Sequence, residues 1–127
     1  MKKVMVFGDF DGLHEGHRFF LQSAKKYGNY LIVAVSQDHI IKHLKGEYPI
    51  KNFAERFEHL ETYDEVNQVV IGDPENSPIN LIKKYNPDIV VLSKNQDFLK
   101  KEIEHNYENF SKKIELKTVD TGEIKIY

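Results

Sequence analysis

The sequence predicts an α/β fold in which a five-stranded parallel sheet carries helices on both faces. Short apolar runs of strand length recur along the chain, the stretches between them place apolar residues at helical spacing, and turn residues mark the junctions. Strands alternating with helices in one short chain require right-handed crossovers, which lay helices over both faces of a parallel sheet. At 127 residues the chain suits one compact domain, 1–127, large enough for a real core but not for two.

Val4 to Phe7 reads as the first strand and Arg18 to Tyr27 as the first helix, with Phe20, Leu21, Ala24 and Tyr27 at helical spacing. Tyr30 to Val35 is continuously apolar, as a strand buried on both faces requires. Gln37 to Leu44 places Ile40, Ile41 and Leu44 on one helical face. Lys45 to Asn52, with Gly46 and Pro49, reads as a loop, and Phe53 to Tyr63 as a helix presenting Phe53, Phe57 and Leu60. Val66 to Ile71 is the third strand. In the turn that follows, Ser77 is placed to cap a helix whose first position suits Pro78 and which ends near Tyr85. Asn86-Pro-Asp separates that helix from the fourth strand, Ile89 to Leu92. Ser93 to Asp97 reads as a loop, Phe98 to Phe110 as an amphipathic helix and Ile114 to Val119 as the fifth strand.

Composition narrows the function classes. Hydrophobic residues at 40%, charged residues at 30% and only four prolines argue against disorder. A net charge of -2 gives no basic footprint, which argues against a nucleic-acid polymer as partner and leaves nucleotides open. The absence of cysteine removes thiolate chemistry and fits a reducing compartment. Met1-Lys-Lys-Val passes directly into a strand without the apolar stretch of a signal peptide, and no run approaches a membrane span. The expectation is a cytoplasmic protein with no membrane partner.

Chemistry concentrates in Gly8-Asp-Phe-Asp-Gly-Leu-His-Glu-Gly-His17, between the first strand and the first helix. Gly8, Gly12 and Gly16 permit tight turns and close approach to a ligand, and a helix start favours an anion such as phosphate. His14 and His17 face one side if the helix begins near them. In open parallel sheets ligands bind beyond the carboxyl ends of the strands, where strand order reverses, and this segment lies at such an end.

Gly8-Asp-Phe-Asp and His14-Glu-Gly-His17 together resemble the Gly-Thr-Phe-Asp and His-x-Gly-His motif of the cytidylyltransferase-like nucleotidyltransferases. The resemblance implies a Rossmann-like sheet of order 3-2-1-4-5. It also implies transfer of a nucleotidyl group from a nucleoside triphosphate to a phosphorylated small molecule, with release of pyrophosphate and with magnesium supplying part of the positive charge. His14 and His17 then hold the triphosphate and stabilise charge at the attacked phosphorus, while Gly8, Phe10 and Gly16 belong to the nucleotide-binding motif. Asp11 matches the family aspartate and would orient the acceptor or magnesium. Asp9 departs from the family's threonine or serine. A carboxylate about 4 Å from a phosphate charge would cost on the order of 4 kcal/mol at an effective dielectric near 20, so its side chain is expected to turn from the phosphates or to sit on a metal.

Leu44-Lys-Gly, Pro49 and Glu55-Arg56 narrow the resemblance to archaeal-type FAD synthases and, more loosely, to glycerol-3-phosphate cytidylyltransferases. On that basis Lys45 and Arg56 are read as phosphate-binding catalytic residues, with solvated surface charge as the competing reading. The loop carrying Ser93, Asn95 and Asp97 would hold the base and ribose, with Ser93 and Asn95 in place of a glycine and an aspartate. Thr121 and Gly122 match the beginning of a phosphate-binding stretch whose serine, threonine and closing helix are not found in Val119-Asp-Thr-Gly-Glu-Ile-Lys-Ile-Tyr. The leading reading is AMP transfer from ATP to FMN, ahead of CMP transfer from CTP to glycerol 3-phosphate, by a chain for which a homodimer is allowed. A nucleotide-binding module with little turnover is the rival of another class, and a flavodoxin-like or receiver-like domain is a third.

Overall fold

The computed structural model describes residues 1–12, 15–122 and 126. Strands β1 (Lys3–Gly8), β2 (Tyr30–Val35), β3 (Gln68–Ile71), β4 (Ile89–Ser93) and β5 (Glu115–Val119) form one sheet in the order β3-β2-β1-β4-β5. All four pairings are parallel, with Lys3 opposite Tyr30 and Val4 opposite Ile89 in the two that flank β1. The chain winds outward from β1 to β2 and β3, then returns to place β4 on the other side. The strand-order reversal therefore lies between β1 and β4.

Alternation along the central strands divides the apolar side chains into two cores. Val4, Val6, Leu31, Val33 and Val91 face helices α1 (Glu15–Lys25) and α3 (Phe53–Glu61), where they meet Phe20, Leu21, Ala24 and Leu60. Met5, Phe7, Ile32, Val90 and Leu92 face α4 (Ile79–Tyr85) and α5 (Asp97–His105), where they meet Ile79, Ile82, Leu99 and Ile103. Each such side chain fully removed from water stabilises the fold by roughly 1.5–3 kcal/mol. Helix α2 (Asp38–Lys45) follows β2 and buries Ile40 and Ile41.

Several boundaries differ from the sequence reading for identifiable reasons. Lys45 is the last residue of α2 rather than part of a loop, because Gly46 at φ 81° gives the helix a left-handed cap whose N–H donates to the Lys42 carbonyl. Residues 94–96 form a 3-10 turn instead of an open loop, and α5 begins at Asp97. That helix stops at His105, and a second 3-10 turn covers Tyr107–Asn109, since Leu99 and Ile103 are buried while Tyr107 is exposed. The third strand starts at Gln68, two residues later than expected, with Asn67 spent on joining Leu31 through both its N–H and its side chain. Pro78, not Ser77, occupies the N-cap of α4, and Ser77 lies one residue before it with its hydroxyl accepting from the Ile79 N–H at 3.3 Å.

At the amino ends of the strands Asp88 ties three chain segments together. Its carboxylate accepts from the Lys3 N–H at 2.8 Å and from Lys112 Nζ at 2.7 Å, and its carbonyl accepts from the Glu115 N–H at 3.1 Å. These bonds hold its carboxyl below the usual carboxylate range, the Lys112 ammonium contributing most. Among the described residues no helix is long and apolar enough to cross a membrane.

Candidate active site

The carboxyl end of β1 is held from three sides. Ser36, just past β2, donates its N–H to the Gly8 carbonyl at 3.0 Å and its hydroxyl to the same oxygen at 3.3 Å. The Asp9 N–H donates to the Ile126 carbonyl at 3.2 Å. Gln96 donates from Nε2 to the Phe7 carbonyl at 2.8 Å, and its Oε1 accepts from the Ser93 N–H, so one buried amide joins β1 to β4 at the reversal. Gly8 is required here by space: a Cβ would lie 2.8 Å from Ile126 Cγ2 and 2.9 Å from Phe10 Cε2.

After Asp9 the chain turns sharply. Phe10 adopts φ 52° and Gly12 φ 59°, both left-handed, and the Phe10 ring is fully buried. A bulky residue in that region is strained by about 1–3 kcal/mol and persists only where its surroundings hold it. One partner is His17 in the first turn of α1, whose ring meets that of Phe10 edge-on at 5.5 Å. His17 is 3% exposed. Both readings of this histidine thus meet at one place, because it packs like a core residue and stands at the mouth of the motif. Gly16, beside it, is buried in the same turn. His14 lies outside the described residues.

Arg56 is the centre of the surrounding frame. It projects from the first turn of α3 and is 1% exposed. Its Nε donates to the Lys51 carbonyl at 3.0 Å, Nη1 to the Asp9 carbonyl at 2.8 Å, and Nη2 to Asp38 Oδ1 at 2.6 Å, so one guanidinium joins α3, α2 and the end of β1. The helix that carries it starts firmly, with Asn52 and Glu55 forming a capping box.

Lys45 reaches the same strand end from α2. Its Nζ lies 2.6 Å from Asp9 Oδ2, and the Asp9 side chain is 3% exposed. The Asp9 carboxylate thus faces a lysine. Asp11, two residues on, accepts from the main-chain N–H groups of Ile50 and Lys51, both at 2.8 Å, and so ties the loop after α2 to the motif.

On the β4 side, the Ser93 hydroxyl accepts from the Asn95 N–H at 2.9 Å, and Asn95 Nδ2 approaches the Gly122 carbonyl at 3.4 Å. Thr121 is buried nearby, just past β5. Asp97, at the start of α5, pairs with Lys101 at 3.2 Å. Ser93, Lys94, Asp97, Lys100 and Thr118 line a cleft of about 340 Å³, and Phe10, Gly12, Lys51, Arg56 and His59 line another of about 410 Å³ on the α3 side. All the described candidate residues therefore collect at the carboxyl end of the sheet, in two groups joined by Gln96.

Two contributors escaped the sequence reading, Ser36 and Asp38, while Gln96 lies inside the Ser93 to Asp97 loop expected at the site and joins β1 to β4 there. A signal existed for Gln96, since Ser93 and Gln96 stand at capping-box spacing. Nothing in the local pattern marks Ser36 or Asp38, whose partners are distant in sequence.

Residues 5–125 match the cytidylyltransferase-like family model. The chain belongs to the cytidylyltransferase-like nucleotidyltransferases. It is 40% identical over 114 residues to the FAD synthase of Pyrococcus abyssi, covering 90% of this chain and 77% of that protein. It is 43% identical over 96 residues to the FAD synthase of Pyrococcus horikoshii, covering 76% of this chain and 65% of the relative. Among solved structures, the lipopolysaccharide core biosynthesis protein from Thermoplasma volcanium superposes with a TM-score of 0.86 at 26% identity, over 97% of this chain and 99% of that one.

Membership of the family implies a divalent metal with the nucleoside triphosphate. Among the described residues no three acidic or histidine side chains converge on one point, both Asp11 oxygens are engaged by amides, and one Asp9 oxygen is held by Lys45. The described residues thus form no protein cage for the ion. Magnesium associated with a triphosphate keeps most of its water and needs few protein ligands.

Proposed function

We propose that this nucleotidyltransferase transfers an adenylyl group from ATP to the phosphate of FMN, forming FAD and pyrophosphate. The observation that carries the acceptor is the 40% identity to an FAD synthase across 90% of the chain. An oxygen of the FMN phosphate attacks the α-phosphorus of ATP, and the bond from that phosphorus to the oxygen bridging toward the β-phosphate breaks. Pyrophosphate carries away the electron pair. No proton transfer to carbon and no covalent enzyme intermediate are needed, so the protein's task is positioning and charge stabilisation.

The residues divide that task. The start of α1, with Gly16 and His17, is assigned to the phosphates, and His14, outside the described residues, is given the same task on the motif alone. Lys45 supplies positive charge from the end of α2. Arg56 keeps the strand end rigid through the Asp9 carbonyl, and Asp11 sets the loop that follows Lys45. Ser93 and Asp97 line the cleft assigned to base and ribose, and Asn95 and Thr121 are assigned to the same end of the sheet beside it. A magnesium ion carried by ATP would supply part of the charge that neutralises the triphosphate.

Pyrophosphate release tests the reading, with ATP and CTP each offered to FMN and to glycerol 3-phosphate. Release with ATP and FMN alone is expected. Release with CTP and glycerol 3-phosphate would make the chain a cytidylyltransferase instead, and tight nucleotide binding with no release from any pair would favour a binding module.

A further inference from the structure

We propose that Asp9 is a positioning residue that seats the Lys45 ammonium at the end of β1, so that Lys45 meets the triphosphate from a fixed place. Asp9 is 2% exposed, and neither of its carboxylate oxygens has a hydrogen-bond partner among the described residues. Compensation of this buried carboxylate therefore falls to the Lys45 ammonium, 2.6 Å from Oδ2. The lysine side chain is 47% exposed, so its charge stands between a buried acid and the solvent from which a nucleotide arrives.

Both ends of the pair are braced. The Asp9 carbonyl is held by Arg56 and its N–H by Ile126. Lys45 closes α2 against the Gly46 cap, and the loop beyond is tied by Asp11 at Ile50 and Lys51. A lysine free in water loses rotamer freedom when it takes a phosphate, whereas one already seated loses less, which strengthens binding without adding a contact. The ammonium has three donors and its contact with Asp9 is an ion pair outside hydrogen-bond geometry, so donor capacity remains for a phosphate oxygen. Interposed in this way, it also offsets the repulsion between the carboxylate and the triphosphate.

This inference rests on the proposed nucleotide site, so its test needs an arm that does not involve nucleotide. In Asp9→Asn the Lys45 amine is released. Its acetylation by N-hydroxysuccinimidyl acetate, read by peptide mass spectrometry against Lys101, should rise at least threefold. ATP affinity measured by calorimetry should fall about tenfold in Asp9→Asn, and Asp9→Thr should behave alike if the asparagine variant folds poorly. The double variant Asp9→Asn/Lys45→Ala should bind ATP no more weakly than Lys45→Ala alone, since Asp9 acts through the lysine. Unchanged Lys45 labelling, ATP binding equal to or tighter than wild type in Asp9→Asn, or additive losses in the double variant would each overturn the proposal. Wild-type protein that binds no ATP would instead overturn the nucleotide reading, and the labelling arm would still decide whether Asp9 seats Lys45.

Discussion

Arg56 holds the main-chain carbonyl of Asp9 at 2.8 Å from a position that solvent hardly reaches. The same guanidinium anchors Asp38 and the Lys51 carbonyl, so its removal would orphan three groups on three segments. Arg56→Ala is expected to lower unfolding free energy by about 2–3 kcal/mol, chiefly because two main-chain carbonyls lose a charged donor, while Asp38, 36% exposed, turns to water. Arg56→Lys should recover little, because an ammonium cannot reproduce the planar fork. Chemical denaturation measures both; an Arg56→Ala protein of wild-type stability that has lost only ATP affinity would place the side chain on phosphate.

Stability should respond unequally to the two partners of the Asp9–Lys45 pair. Lys45→Ala leaves a carboxylate in a buried position and is expected to cost about 1–3 kcal/mol. Asp9→Asn leaves a lysine that turns into water, and should cost less. Thermal melts of the two variants give the comparison, and an equal or reversed order would mean that Asp9 is not compensated chiefly by Lys45.

His17 has a packing role against Phe10 as well as its proposed part in catalysis. Replacing either His14 or His17 by Ala should reduce turnover by about a hundredfold or more, the scale seen when one preorganised charge stabiliser is removed. His17→Phe would separate the roles, keeping the packing while losing the activity. Near-normal kcat in the alanine variants would exclude the assignment.

Gly8 and Gly12 are constrained for different reasons. Gly12 at φ 59° has open space around it, so Gly12→Ala carries only the left-handed penalty of about 1–2 kcal/mol. Gly8→Ala places a methyl group against Ile126 and Phe10. It should lower the melting temperature further and also reduce ATP affinity, by displacing the turn that leads to α1.

Asp88 gives the fold an acid-sensitive tie remote from the site. Its carboxyl is lowered by Lys112 and the Lys3 amide, so its contribution is complete above the ordinary carboxylate pKa and fades as pH falls through the lower folded value. The half-exposed position limits the effect to about 0.5 kcal/mol. Asp88→Asn should therefore be less stable than wild type at neutral pH, with the gap closing below about pH 4. A gap independent of pH would show that the carboxylate charge contributes nothing.

The strands were the most legible part of the sequence. Tyr30 to Val35 coincides with β2 because a central strand buried on both faces must be apolar throughout, and few other structures tolerate such a run. The motif's position at the end of β1 was equally readable. Arg56 was visible as a candidate but its burial was not, since two of the contacts that satisfy it come from Asp9 and Asp38, 47 and 18 residues away in sequence. The same holds for Asp11, whose loop partners lie 39 and 40 residues away in sequence. The end of α5 was overextended because Tyr107 and Phe110 continue the apolar period, although Tyr107 is exposed.

The two faces of the sheet differ in what they can tolerate. The core beneath α1 and α3 includes Phe10 and Ile126 and so is continuous with the turn that bears the motif, whereas the core beneath α4 and α5 contains no candidate site side chain. Substitutions at separated sites without shared partners usually add independently. Away from the start of α5, where Asp97 and Lys100 line the cleft beside Ser93, the α4 and α5 side is thus the face on which sequence can drift or be engineered for robustness with little effect on catalysis. The α1 and α3 side must satisfy packing and chemistry with the same residues.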